Sequence, residues 1–198
     1  MGRYIVLTGD IIASTALAAD DLDAILKRIS KTTGQYHGAQ FARRGGDAWQ
    51  SALPCPANAL HLALSIQAHV MSDDANVATR LSIAVGDGTI PANGDLNAAH
   101  GDAFTRSGRG LGTLTETTRI CDTRGGAHHA AALLADHIAQ GWTRTQARAM
   151  AAALAADAPT QASIADRLGV TRQSVNQTLR AAGFPALSNA LHALGPAQ

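Results

Sequence analysis

The chain has 198 residues, 46% of them hydrophobic and 16% charged, with a formal net charge of +1. These proportions exclude a disordered chain and suit one medium domain plus a small one. No apolar run approaches the roughly 18–20 residues of a membrane span. The N-terminus reads straight into a strand, with no signal-peptide architecture. Cys55 and Cys121 stand far apart and form no ligand or disulfide pattern, as in a cytoplasmic protein. From Thr143 onward five arginines face Asp157 and Asp166, which makes that segment +3 and leaves the first 142 residues at −2. An acidic body with a basic tail puts any nucleic-acid contact in the tail.

In chain order, residues 3–8 are a short aliphatic run that fits a buried strand. Gly9-Asp10-Ile11-Ile12-Ala13-Ser14-Thr15 follows, a carboxylate at a strand end and then small hydroxylated residues where a helix is expected to start. A carboxylate so placed can hold a hard divalent cation, and a helix start offers N–H groups to a phosphate. Residues 20–35 read as an amphipathic helix, with Leu22, Ile25, Leu26 and Ile29 at helical spacing and Gly38 ending it. Residues 40–44 and 48–53 flank Gly45-Gly46-Asp47, a hairpin signal. After Pro54 and Pro56 a second helix carries Leu60, Leu64, Ile66 and Val70. Residues 77–85 alternate Thr79, Leu81, Ile83 and Val85 against Arg80 and Ser82, the pattern of a half-buried strand. Gly86, Gly88, Pro91, Asn93 and Gly94 read as a loop, a third helix starts near Gly101-Asp102-Ala103-Phe104, and a last strand falls near residues 118–121.

The order β-α-β-β-α-β is the ferredoxin-like split βαβ topology, which sets Asp10 beside the Asp47 hairpin. Two carboxylates at one corner make a magnesium–triphosphate site the expected chemistry. Each also has a purely structural alternative, since Asp is favoured at helix N-caps and in tight turns. His128, His129 and His137 lack a carboxylate at ligand spacing and read as surface or interhelical residues.

Four segments in order, Gly9 to Thr15, Gly46-Asp47-Ala48, Arg80 to Gly88 and Gly101 to Arg109, resemble the class III adenylate/guanylate cyclase catalytic domain over roughly residues 3–121. The chain is also similar to the smaller SatD-like family, which pairs a reduced cyclase-like domain with a DNA-binding tail. The resemblance implies that Asp10 and Asp47, with the Ile11 carbonyl, bind magnesium or manganese. It implies that the backbone of Ile12, Ala13, Ser14 and Thr15 faces the nucleotide's phosphates, and that Arg109 neutralises phosphate charge across a homodimer interface. It puts Thr105 where the family has an asparagine near the ribose, Arg43 near its base-selecting lysine and Ala98 near its base-selecting acid. The cation-binding half then reads as intact, with base reading and transition-state support degraded. That favours binding over turnover, and no catalytic residue is assigned.

Beyond residues 122–126 the pattern turns helical, over 127–140 and over 143–156 with Thr143 as N-cap. Residues 160–179 then resemble the helix-turn-helix of bacterial regulators and sigma-factor tails. Ala165 is small where two helices cross, Gly169 permits the tight turn, and Ile164, Leu168, Val175 and Leu179 share the buried face. Thr171 caps the second helix, which exposes Arg172, Gln173, Ser174, Asn176, Gln177 and Arg180. With Thr171 these side chains suit base edges and phosphates in a major groove. A surface helix of a small bundle is the alternative. Phe184, Pro185, Leu187 and Leu191 form a closing helix.

The expected fold is α+β: a ferredoxin-like, cyclase- or palm-like sheet with helices over residues 1–124, then an all-α linker and helix-turn-helix domain over 125–198. The expected function is a transcriptional regulator that binds double-stranded DNA, whose cyclase-like domain binds a nucleotide or cyclic nucleotide and mediates dimerisation. The alternative is an active metal-dependent nucleotidyl cyclase or nucleotidyltransferase with a regulatory DNA-binding tail. A structural adaptor using the fold only to dimerise comes third, and the Asp10/Asp47 pair speaks against it.

Overall fold

Strand β1 (Gly2–Ile11) sends alternate side chains to the two faces of a sheet, and both faces are covered. The computed structural model describes residues 2–74, 76–157 and 159–197. After β1 come α1 (Ala19–Thr33), the hairpin of β2 (Gln40–Arg43) and β3 (Trp49–Pro54), and α2 (Ala59–Met71). Then follow β4 (Thr79–Gly88), α3 (Asp102–Leu111) and β5 (Ile120–Asp122). The strand order is β2-β3-β1-β4-β5, antiparallel throughout except for the parallel β4–β5 edge. This is the split βαβ arrangement with one added strand. Five helices complete the described chain: α4 (Gly126–Gln140), α5 (Arg144–Ala153), α6 (Gln161–Leu168), α7 (Arg172–Ala181) and α8 (Phe184–Leu194). The α+β class expected from the sequence is the class observed.

Ile5, Leu7 and Ile11 of β1 join Leu81 and Ile83 of β4 in the core shared with α1 and α2. Val6 and Ala52 point the other way, against Leu96, Ala103 and Phe104. Strand β4 is therefore buried on both faces rather than one, because α3 covers the second. It also continues through Gly86 and Gly88, which pair with Tyr4 and Gly2 instead of forming a loop. A Cβ on Gly88 would stand 2.7 Å from the Phe104 ring, so the bare backbone is what lets α3 lie on the strand. Helix α1 stops at Thr33 with Gly34 as its cap, short of Gly38.

Helices α4 to α8 do not enclose a core of their own. The cluster under the sheet passes through Leu60 and Leu64 of α2 into Ala135, Ala139, Trp142, Met150, Val175, Leu179 and Leu187. Every residue of α2 except His61 and His69 is buried, the all-round apolar character of a helix packed on two sides. The Trp142 indole, between α4 and α5, donates to the Ala182 carbonyl at the end of α7 at 2.9 Å. Among the described residues no helix is long and apolar enough to cross a membrane.

Candidate nucleotide site and candidate nucleic-acid interface

Asp10 is a strand residue, not a helix cap, since α1 begins only at Ala19 behind Ala18. Its backbone carbonyl accepts from Thr79 Oγ1 at 2.6 Å, and that hydroxyl accepts in turn from the buried Trp49 indole at 3.0 Å. Across the β1–β4 pair Asp10 stands opposite Arg80. Arg80 takes both carboxylate oxygens, Nε on Oδ1 at 3.0 Å and Nη2 on Oδ2 at 2.6 Å. Such a bidentate, charge-assisted pair is the strong form of the contact.

Gly9 pairs with Trp49, which brings the β2–β3 turn to the same corner. Asp47 lies in that turn and accepts a short hydrogen bond from Ser14 Oγ. The Asp10 hydrogen bond above all, then the charges of Asp10 and Asp47, raise the Arg80 guanidinium above its ordinary value, with burial opposing. Arg80 is thus held in the field of both aspartates that the sequence singles out. The sequence reading assigned Arg80 no site role. Its signal was the polar phase it shares with Ser82, but its partner emerges only from the β1–β4 register.

The segment from Ile12 to Thr15 is not the N-terminus of α1. Ile12 N–H donates to the Ala78 carbonyl at 2.9 Å, and Ser14–Ala16 is a single 3-10 turn. Ala13 adopts a left-handed conformation, φ 54 and ψ 32, which costs an L-residue about 1 kcal/mol. Strain of this kind concentrates at functional sites, and the next residue, Ser14, is the one that bonds Asp47. Ile11 is buried and pairs with Thr79.

The other expected ligand-facing residues make different contacts, and Arg43 alone of them borders the Asp47 turn. Arg43 pairs with Asp23 at 2.7 Å and donates from Nε to the Gly46 carbonyl at 2.6 Å. Thr105 and Arg109 are exposed, one turn apart on the outer side of α3, and Ala98 ends the Leu96–Ala98 turn. None of the four hydrogen-bonds to Asp10, Asp47 or Arg80 among the described residues. A polar floor missed by the sequence reading lies on the same sheet face as Asp10. There Thr8 Oγ1 accepts from Gln50 Nε2 at 2.9 Å and lies 2.8 Å from Ser107 Oγ of α3.

Carboxylate oxygens suit a magnesium or manganese ion in kind. The arrangement does not fit one. Arg80 engages both Asp10 oxygens and Ser14 engages Asp47, and no group of three His, Cys, Asp or Glu gathers among the described residues.

In the tail, α6 ends on Gly169 at φ 66, the left-handed turn expected there. Helix α7 starts three residues on, behind Thr171, whose hydroxyl accepts from Ser174 N–H at 3.1 Å. Ile164, Ala165, Val175 and Leu179 are buried. Thr171, Arg172, Gln173, Ser174, Gln177 and Arg180 are exposed, with Asn176 half-buried beside them. Neither Arg172 nor Arg180 makes an ion pair among the described residues.

No protein family matches the chain, and no curated protein matches it. Among solved structures it is similar to a bacterial light-regulated adenylyl cyclase, at 14% identity and a TM-score of 0.48. The likeness covers 62% of this chain and 43% of that one, so the chain spans under half the length of the cyclase structure. It is a remote likeness, and the fold and site stand on their own geometry.

Proposed function

We propose that the protein is a cytoplasmic regulator that binds double-stranded DNA, and that its α+β body binds a nucleotide or cyclic nucleotide and brings two copies together. This is the SatD-like arrangement of a reduced cyclase-like body with a DNA-binding tail. The observation that carries the reading is α7, a capped helix whose exposed side holds arginine and amide side chains and no carboxylate. Arg172, Gln173 and Asn176 lie on its N-terminal turns, where side chains reach base edges, and Arg180 a turn further on suits a phosphate. Two copies related by a two-fold axis would read a palindromic site with half-sites about one helical turn apart. In the body, the nucleotide reading rests on the resemblance of residues 3–121 to a cyclase catalytic domain, with Asp10 and Asp47 gathered at one corner around Arg80 beside the Ala13 turn. Carboxylates already engaged by Arg80 and Ser14 favour binding there over turnover.

The test is a binding titration on random duplex DNA and on duplexes selected from a random pool, at several salt concentrations. Gln173→Ala and Asn176→Ala should each cost about 1–3 kcal/mol and relax sequence preference. Arg180→Ala should weaken all sequences alike and shallow the salt slope by about one unit. Absence of DNA binding at low salt, with and without nucleotide, overturns the reading.

A further inference from the structure

We propose that Arg80 is the resident cation of the Asp10–Asp47 corner, standing where a divalent metal ion would otherwise balance the two carboxylates, so that this site meets its ligand without metal. The inference deepens the nucleotide reading and rests on it only for the identity of that ligand.

The geometry is specific. Arg80 reaches Asp10 with both arms of its fork, at 3.0 and 2.6 Å. The pairing is built into the sheet, because the two residues face each other in the β1–β4 register. The Trp49–Thr79–Asp10 hydrogen-bond chain holds the Asp10 main chain in place opposite Arg80. A guanidinium stays charged at any physiological pH and its planar fork matches a carboxylate. A divalent ion would need the same oxygens and would sit against a positive charge. The side chain of Asp10 is 20% exposed and that of Arg80 38%, so water screens the pair in part and its fixed two-point geometry, more than burial, holds it. Asp47 lies within the same field, and Ser14 holds it. One aspartate charge is cancelled by Arg80, which leaves a single net negative charge at the corner to meet a divalent ion.

The probe is Mn2+ alone, followed by electron paramagnetic resonance of the free ion, on the full-length protein. Wild type should show no saturable binding at micromolar metal. Arg80→Ala should bind Mn2+ at least about tenfold more tightly than the limit that wild type sets, and adding Asp10→Asn should remove the gain. Arg80→Gln, which keeps a polar stem, serves in the same comparison if the alanine variant fails to fold. Micromolar Mn2+ binding by wild type that Asp10→Asn abolishes overturns the inference, and so does a folded Arg80 variant with no gain. A second arm titrates nucleoside triphosphates and cyclic nucleotides in EDTA and in Mn2+. Equal affinity in the two supports the inference, whereas binding only in Mn2+ overturns it. Absence of binding in both removes the nucleotide reading instead, and the Mn2+ contrast between wild type and Arg80→Ala still decides the role of Arg80.

Discussion

His61 shares a 2.7 Å hydrogen bond with the Tyr36 hydroxyl, and both groups are half-buried. Burial pulls the imidazole below its ordinary value and pushes the phenol up to about 12, where a Ser65 hydrogen bond opposes it. His69 is pulled down as well, chiefly by burial. A histidine held neutral in the fold is protonated first in the unfolded chain. Its contribution to stability is therefore full above the unfolded value of about 6.5 and is lost as pH falls from there towards the folded value. Urea denaturation should show stability declining between about pH 7.5 and about pH 5.5, the window of an imidazole. His61→Gln should flatten the slope. A wild-type profile flat across that window would contradict the downward pull of partial burial on both rings.

Gly9 shows how one element depends on another. A Cβ there would lie 2.5 Å from the Arg80 carbonyl and 2.5 Å from the Trp49 ring, so the glycine of the Gly-Asp pair is needed for strand approach rather than for a turn. Gly9→Ala should cost about 1–3 kcal/mol through overpacking. Denaturation would measure it, and a neutral effect would mean that Trp49 moves freely. What the sequence disclosed follows the same divide between local and distant. The strand runs, the Thr143 and Thr171 caps and the turn at Gly169 are written in neighbouring residues, and they are observed, whereas the alternation of residues 79–85 signals one buried face and α3 covers the other. The Asp10–Arg80 pair joins residues 70 positions apart and depends on a register that no local pattern encodes. The left-handed Ala13 was illegible for another reason: alanine carries no signal for that conformation. The reach of β4 to Gly88 went unread because glycine signals a loop unless a helix is known to lie on it.

At the scale of the whole molecule, the larger of the two buried clusters runs from the sheet into the helical tail and bears on cooperativity. Trp49 lies in the sheet and Trp142 in the helical tail, and both belong to the same buried cluster. Trp49→Phe and Trp142→Phe variants leave one fluorophore each, and the two should report coincident denaturation midpoints relative to far-UV circular dichroism, as a two-state unit requires. Separate transitions would show that residues after 125 unfold alone. Helix α2, covered on both sides, acts as a keel: neither the Asp10 corner nor the α7 surface can swing against it without opening the interior. In any pair of copies, the gap between the two α7 helices would then behave like the opening of a calliper with stiff arms, adjusted only at the joint where the copies meet.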